Sequence, residues 1–346
     1  MSALARDLDD IVERNADDFE ALRGARLFVT GGTGFVGSWL LESFVWANAR
    51  LALGARLVVL TRDPEAFARN SPHLASDPIS FFAGDVREPI AIAGSFDAVI
   101  HAATPASAQI NAATPEVMLG TIVDGTRRVL EVARRSGAIP FLLTSSGAVY
   151  GRQPPDLTLV DETYGGAPDS LDPGNAYHEG KRVAELLGAI AARHEHLQTK
   201  VARLFAFAGP YLPLDRHFAI GNFIGDALAH RPIRIGGDGT PVRTYLYAAD
   251  MTSWLWRVLV RGQILRPYNV GSEHTVDIRE TARTVAAAAD PPLAYTVAGT
   301  PLPGRLPDRY APSTARARAE LGLLEWTPLE ESIRRTLAWN RSLTKR

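Results

Sequence analysis

Leu27-Phe28-Val29-Thr30-Gly31-Gly32-Thr33-Gly34-Phe35-Val36-Gly37 is the stretch that decides the fold. An apolar run enters a glycine-rich turn, and the turn opens an amphipathic segment carrying Phe35, Leu40, Leu41, Phe44 and Val45. That order predicts a buried strand, a tight turn and the start of a helix. Bare backbone N–H groups and a helix N-terminus then converge where a pyrophosphate can sit. Gly31 permits the turn, Gly34 lets phosphates approach, and Gly37 lets the helix pack on the strand. Glycine spacing alone is a weak signal, and an ordinary strand-to-helix turn is the alternative. The flanking strand and helix supply the context that the motif requires.

Outward from this stretch, apolar runs alternate with longer segments of helical period. Strands are predicted at Arg26–Thr30, Arg56–Thr61, Ile79–Ala83, Asp97–His101, Phe141–Ser145 and Lys200–Phe205. Helices are predicted at Phe35–Ala49, Glu116–Ser136 and Asn175–His194. The strands show little polar alternation, as expected when both faces of a parallel sheet are covered. The fold class is α/β: a Rossmann-type doubly wound parallel sheet with a smaller C-terminal substrate-binding lobe. Residues 3–22, with Leu4, Leu8, Ile11, Val12, Phe19 and Leu22 in helical spacing, predict one amphipathic helix that packs on the body or on a second subunit. After residue 206 turns dominate, with helical segments near Phe218–His230, Ala249–Val260, Asp277–Ala289 and Leu329–Leu343. The organisation is thus a helical extension over 1–24, a dinucleotide-binding domain over 25–206 and a substrate lobe over 207–346, with chain crossings between the lobes allowed.

Composition narrows the function. The 346 residues carry a formal net charge of -1 and no cysteine. There is no basic footprint for nucleic acid, no thiolate chemistry or disulfide, and no apolar run of bilayer length. The acidic, amphipathic N-terminus does not read as a signal peptide, so a cytoplasmic protein is expected. His194 and His196 lie two apart near a helix end, where ring directions diverge, and no metal site is expected.

Tyr177-His178-Glu179-Gly180-Lys181 opens a predicted helix. Residues four apart share a face, so Tyr177 and Lys181 point into one space. A nearby ammonium favours the phenolate and would bring the phenol toward a useful acid–base range. A lone Y-x-x-x-K is common and is usually a solvated pair. Here Leu142-Leu143-Thr144-Ser145-Ser146-Gly147-Ala148-Val149-Tyr150-Gly151 precedes it, an apolar strand running into hydroxyl residues. Ser146 there can donate to a substrate oxygen or share a proton with Tyr177.

With these motifs in order, the sequence resembles the extended short-chain dehydrogenase/reductase family in its nucleotide-sugar branch. The resemblance rests on residues 30–37, Gly84-Asp85-Val86, His101-Ala102-Ala103, Thr144–Gly151, Tyr177 with Lys181, and Gly236–Asp250. It implies that Tyr177 is the acid–base group, Lys181 its partner and Ser146 the polarising hydroxyl. It implies cofactor contacts at Gly31, Thr33, Gly34, Phe35, Val36, Gly37, Asp85, Val86, Ala102, Ala103 and Thr144, besides Tyr177 and Lys181. Arg243 is expected on the substrate diphosphate and Asn222 on the diphosphate or nucleoside. The resemblance also implies a homodimer built on the helices Glu116–Ser136 and Asn175–His194, whose apolar residues can equally belong to the monomer core.

Departures from the family sharpen the reading. The branch's 4,6-dehydratases place an Asp–Glu pair where Gly147 and Ala148 stand, and its decarboxylases place a glutamate at Ala148. Neither position here carries a proton. Chemistry at a carbinol or ketone remains, as in a ketoreductase or a 4-epimerase. The strand Arg56–Thr61 ends in Thr61-Arg62-Asp63, where NAD-selective relatives place an acid at the position of Thr61. An arginine suits a 2′-phosphate and favours NADP, while Asp63 keeps NAD possible. The expectation is an NADPH-dependent reductase of a nucleotide-linked 4-keto-6-deoxyhexose. A nucleotide-sugar 4-epimerase holding NAD is the alternative, with a 4,6-dehydratase or a non-catalytic dinucleotide sensor behind it. The family's substrate-touching asparagine after the sixth strand is replaced by Ala206, and its late arginine by Leu302. Arg305 or Arg309 is the expected substitute for the lost charge.

Overall fold

The computed structural model describes residues 4–104, 108–215 and 218–343. The chain opens with α1 (Ala5–Arg14), α2 (Ala16–Glu20), β1 (Arg26–Thr30), α3 (Phe35–Arg50), β2 (Arg56–Thr61), α4 (Pro64–Asn70), β3 (Ile79–Ala83) and β4 (Ala98–His101). It continues with α5 (Ala108–Ala113), α6 (Pro115–Ser136), β5 (Pro140–Ser146), α7 (Ala176–His194), β6 (Gln198–Leu204), β7 (Phe207–Ala208) and α8 (Ala219–Leu228). Then come β8 (Ile233–Ile235), β9 (Val242–Thr244), β10 (Leu246–Tyr247), α9 (Ala248–Arg261), β11 (Pro267–Val270), β12 (Thr275–Asp277) and α10 (Ile278–Ala288). The last elements are β13 (Tyr295–Val297), β14 (Arg309–Tyr310), α11 (Ala315–Leu321) and α12 (Leu329–Leu343).

Seven strands form one sheet in the order β11-β6-β5-β4-β1-β2-β3, every neighbouring pair parallel. Six of them follow the doubly wound order 3-2-1-4-5-6. The winding direction reverses between β1 and β4, and the carboxyl ends of those strands border the crevice where ligands of such sheets bind.

Both faces are buried because both alternations along the strands are apolar. Leu27, Val29, Leu57 and Val59 enter a core with Trp39, Leu40 and Phe44 of α3 and Trp254 and Leu255 of α9. Phe28, Val58 and Leu60 enter the opposite core with Val129 and Val132 of α6 and Ala184 and Ala191 of α7. At the strand ends, His101 is buried between Thr30 Oγ1, 2.7 Å from Nδ1, and Thr126 Oγ1, 3.2 Å from Nε2. Burial, aided by the charge on Lys181, lowers its pKa to about 3, so the ring is neutral at pH 7.

A third core gathers Phe223 and Ile224 of α8, Ile233 and Ile235 of β8, Val285 of α10 and Ile333 and Leu337 of α12. This is a smaller lobe, but the chain does not stay in it. The strand β11 returns to pair with β6, and α9 packs on α3 and the sheet.

The N-terminal segment is two helices rather than one. Asn15 leaves helical geometry at φ -117° and ψ 20°. Its Nδ2 donates to Asp18 Oδ2 at 3.0 Å and to the Ser253 carbonyl at 3.0 Å, and Ser253 Oγ donates to Asn15 Oδ1. An asparagine with such partners competes with helix continuation. Three buried carboxylates tie these helices to the rest. Asp7 accepts from the Tyr247 hydroxyl at 2.7 Å and pairs with Arg335 of α12. Asp18 pairs with Arg257 and Arg261 of α9. Asp250 accepts from the amides of Trp326 and Thr327 and from Arg14 of α1. Among the described residues no helix is long and apolar enough to cross a membrane, and no group of acidic and histidine side chains could hold a metal ion.

Candidate active site

Between β1 and α3 the chain admits only glycine at positions 31 and 37. Gly31 has φ +74°, and a Cβ there would lie 2.4 Å from the Ala102 carbonyl oxygen. A Cβ on Gly37 would lie 2.2 Å from the Gly31 carbonyl oxygen. The turn therefore presses on Ala102 and Ala103 after β4, and α3 presses on the turn. Gly34 is the N-cap of this 16-residue helix, with no side-chain cap and no acid in the first turn. The N–H groups beginning at Phe35 and Val36 are left for an anion, with the backbone of Thr33 and Gly34 beside them. These features fit a dinucleotide.

Along the strand ends, Thr61 is buried, Arg62 is exposed, and Asp63 Oδ1 accepts from the Ala66 amide at 2.8 Å to cap α4. Asp85 follows β3 and pairs with Arg87 at 2.8 Å. The hydrogen bond from Arg87 holds the Asp85 carboxyl below its ordinary range. Val86 is buried against Gly125 of α6.

The first turn of α7 carries Tyr177, and Lys181 lies one turn on. Asn111 of α5 fixes the helix start: its Oδ1 accepts from the Tyr177 amide at 2.9 Å, and its Nδ2 donates to the Gly174 carbonyl. Lys181 is 5% exposed. Its Nζ donates to the Thr144 carbonyl at 2.7 Å and to Thr104 Oγ1 at 2.9 Å, and lies 5.9 Å from the centre of the Tyr177 ring. Thr144 Oγ1 in turn donates to the His101 carbonyl at 3.1 Å, joining β5 to β4. Burial lowers the Lys181 pKa to about 8, and Glu185 on the next turn offsets part of that. Glu185 also accepts from Arg203 and from Ser145 Oγ, which binds α7 to β5 and β6.

Ser146 ends β5, buried, and its Oγ accepts from the Ala148 amide at 3.2 Å. The same hydroxyl lies near enough to the Tyr177 phenol to favour its ionised form, so Ser146, Tyr177 and Lys181 share one space. Burial raises the Tyr177 pKa, and the nearby Ser146 hydroxyl only partly offsets this. This differs from the sequence expectation of a phenol acidified by its lysine. Desolvation penalises the phenolate, while the two N–H···O bonds of the ammonium go to Thr104 and Thr144.

An aromatic wall closes the other side. Phe205 lies 4.7 Å from Tyr310 and 6.3 Å from Tyr150, centre to centre. Three Phe205 ring carbons would lie 2.5, 2.7 and 2.8 Å from a Cβ on Gly147. The Tyr310 phenol is buried close to the Ser146 hydroxyl and to Tyr177. The strand β14 pairs with β9 so that Tyr310 is in register with Arg243. Arg243 Nη1 donates to the Val242 carbonyl at 2.8 Å and the Asp308 carbonyl at 3.4 Å, leaving much of its guanidinium for a ligand.

Two expected substrate residues stand apart from this group. Arg309 Nε donates to the Pro155 carbonyl at 3.2 Å, on the loop after β5. Asn222 is exposed on α8, and its backbone N–H donates to the Phe218 carbonyl in the first turn of that helix. Arg305 lies 3.9 Å from Asp308.

A family model described as "NAD dependent epimerase/dehydratase family" matches residues 27–271. The chain belongs to this family. UDP-glucuronic acid decarboxylase 2 of Arabidopsis thaliana is 32% identical over 309 residues, covering 88% of this chain and 65% of the relative. UDP-glucuronic acid decarboxylase 6 of the same plant is 31% identical, covering 91% of this chain and 87% of the relative. The chain thus spans less than two thirds of the length of the first of these. Among solved structures, the UDP-glucose 4-epimerase of Thermus thermophilus in complex with NAD superimposes with a TM-score of 0.74 at 25% identity, covering 91% of this chain and 99% of that one.

As a member of the epimerase/dehydratase family, the chain places three groups at its centre that sequence reasoning did not single out. Thr104 and Asn111 follow β4 in sequence, and no local pattern encodes that they meet Lys181 and the start of α7. Tyr310 was adjacent to a residue that the sequence did suggest. Period 2 sends one of Arg309 and Tyr310 toward the site and the other away, and the sequence does not tell which.

Proposed function

We propose that the chain is an NADPH-dependent reductase of a nucleotide-linked 4-keto-6-deoxyhexose. The observation that carries this reading is the Phe205 ring seated against Gly147, with Ala148 beside it. The two positions that would hold proton-removing carboxylates hold none, and an aromatic ring fills the space before the first of them. This argues against carrying over the decarboxylase names of the sequence relatives, and it leaves 4,6-dehydration behind the other readings.

What remains is a centre of hydroxyls and one amine. The glycine turn and the N-terminus of α3 would hold the pyrophosphate of a reduced dinucleotide, whose nicotinamide would supply the hydride beside Tyr177. Tyr177 gives its proton to the ketone oxygen, and Ser146 holds that oxygen through its hydroxyl. The Lys181 ammonium stabilises the phenolate left behind. Arg243 and Asn222 take the diphosphate and nucleoside, Arg243 as a charge-assisted donor. Arg309 would serve the substrate only by releasing the Pro155 carbonyl.

The choice of NADPH rests on the end of β2. Thr61 offers no carboxylate to a ribose 2′-hydroxyl, Asp63 is engaged in capping α4, and Arg62 between them is exposed and carries the charge that a 2′-phosphate needs. A 4-epimerase is the second reading, favoured by the likeness to the NAD-bound UDP-glucose 4-epimerase. As part of the same proposal, the exposed side chains Leu186 and Ile190 on α7 and Leu119 on α6 support a homodimer through these helices.

The deciding experiment offers the purified protein NADPH with nucleotide-linked 4-ketosugars, and separately offers nucleotide hexoses without reductant. Stoichiometric NADPH loss supports reduction. Interconversion of C4 epimers with no net loss of reductant replaces it with the second reading.

A further inference from the structure

Lysine carries its charge on a flexible four-carbon stem, and a buried ammonium without partners loses its proton. Lys181 is therefore useful only if acceptors hold it in place. Two do so, from different elements. The Thr144 carbonyl belongs to the last turn of pleat in β5 and is fixed by the sheet. Thr104 Oγ1 comes from the segment that leaves β4, 77 residues before the lysine in sequence. Two acceptors from separate elements define a position, whereas one defines only a distance. An ammonium has three N–H groups, so one remains for a ligand or for Tyr177.

We propose that Thr104 is a positioning residue of the reacting centre: its hydroxyl fixes the Lys181 ammonium beside Tyr177 and keeps that amine charged at neutral pH. Among the charged and titratable groups around the amine, Glu185 favours the charged form through space, and Thr104 supplies the second hydrogen bond that fixes its place. His101 of β4 is neutral at pH 7. Glu185, on the lysine's own helix, is already shared with Arg203. Tyr177 keeps its proton until well above neutral pH. Burial has brought the amine to about 8, so a further fall of one pH unit would leave half the molecules uncharged at pH 7. A threonine-to-valine exchange keeps the shape and removes the acceptor.

The proposal rests on Tyr177 and Lys181 being the reacting dyad, but its first test reads the amine alone. The pH dependence of Lys181 modification by an amine-reactive reagent is followed by mass spectrometry in the cofactor-free protein. In Thr104→Val the midpoint should fall by about half to one pH unit, and Thr104→Ser should restore it. In turnover the alkaline limb of kcat/KM should move down by the same amount, with the gap to the parent narrowing toward pH 6. An unchanged labelling midpoint overturns the proposal whatever reaction the centre runs. So does a fall in activity of equal size at every pH, which marks a structural effect. Should Thr104→Val fail to fold, Thr104→Ala carries the same two readouts.

Discussion

Gly147→Ala is the smallest change that probes the closed wall. Gly147 has no positive φ, so the backbone accepts alanine and only the neighbouring ring opposes it. The new Cβ would meet Phe205 carbons at 2.5 to 2.8 Å. Ordinary carbon contacts lie at about 3.5–4.0 Å, so the ring must retreat by roughly 1 Å. It cannot do so freely, because Tyr310 lies 4.7 Å away across its face. Overpacking of this kind costs ~1–3 kcal/mol, which lowers Tm by a few degrees in a protein of this size. The displaced ring also moves Tyr310, so KM for the nucleotide sugar should rise while the affinity for the dinucleotide stays level. Phe205→Ala alone leaves a cavity and costs ~3–5 kcal/mol. In the double variant the methyl enters the space the ring has vacated. The two losses should then sum to at least about 1 kcal/mol less than their separate values. Denaturant melts of all four proteins measure this. Additive losses, or a single variant as stable as the parent, would show that the ring does not close position 147 and would reopen carboxylate chemistry there.

Further outcomes follow from other residues. On the proposed reading Arg62 makes a charge-assisted contact to the 2′-phosphate worth ~1.5–3 kcal/mol, so in Arg62→Ala KM for NADPH should rise about 10- to 150-fold with little change for NADH; equal effects on both cofactors would place the 2′-phosphate elsewhere. Lys181 is charged below its pKa of about 8, so activity should be full near pH 7 and fall as pH rises through 8; a profile flat to pH 10 would remove the ammonium from the mechanism. Asp18→Ala strands Arg257 in a buried pair and should cost ~3–5 kcal/mol, whereas Glu20→Ala, at the exposed pair with Arg23, should cost under about 1 kcal/mol; equal losses in thermal melts would deny the clamp its role.

Six of the seven strands of the sheet were readable, most of them because burial on both faces leaves uninterrupted apolar runs; β11 (Pro267–Val270) was not among them, and β3 is only partly buried. The runs at 26–30, 56–61 and 79–83 coincide with β1, β2 and β3. The glycine turn was readable because part of its constraint is local: Gly31 has φ +74° and Gly37 meets the backbone of Gly31 and Gly32, whereas the contact of Gly31 with Ala102 comes from the end of a strand far along the chain. The site was readable to the extent that it lies on one helix, as Tyr177 and Lys181 do. It was not readable where partners come from distant elements. Thr104 meets Lys181 across 77 residues, and Phe205 meets Gly147 only because β5 and β6 are neighbours. The sign of the Tyr177 shift was misjudged for the same reason. A sequence shows the neighbouring ammonium but not how deeply the phenol is buried or which acceptors the amine prefers. The break at Asn15 depended on Ser253, far along the chain.

The clamp between the first helices and the last has a consequence for biosynthesis. Asp7 meets Arg335 across 328 residues and Asp18 meets Arg257 across 239. At roughly 5–20 residues per second on the ribosome, Asp7 waits on the order of 20–60 s for its partner to be made. Neither carboxylate can leave water before then without a steep desolvation penalty. The helices translated first are thus docked among the last, and a ribosome stalled before α12 would hold a nascent chain whose sheet can form but whose opening segment stays undocked.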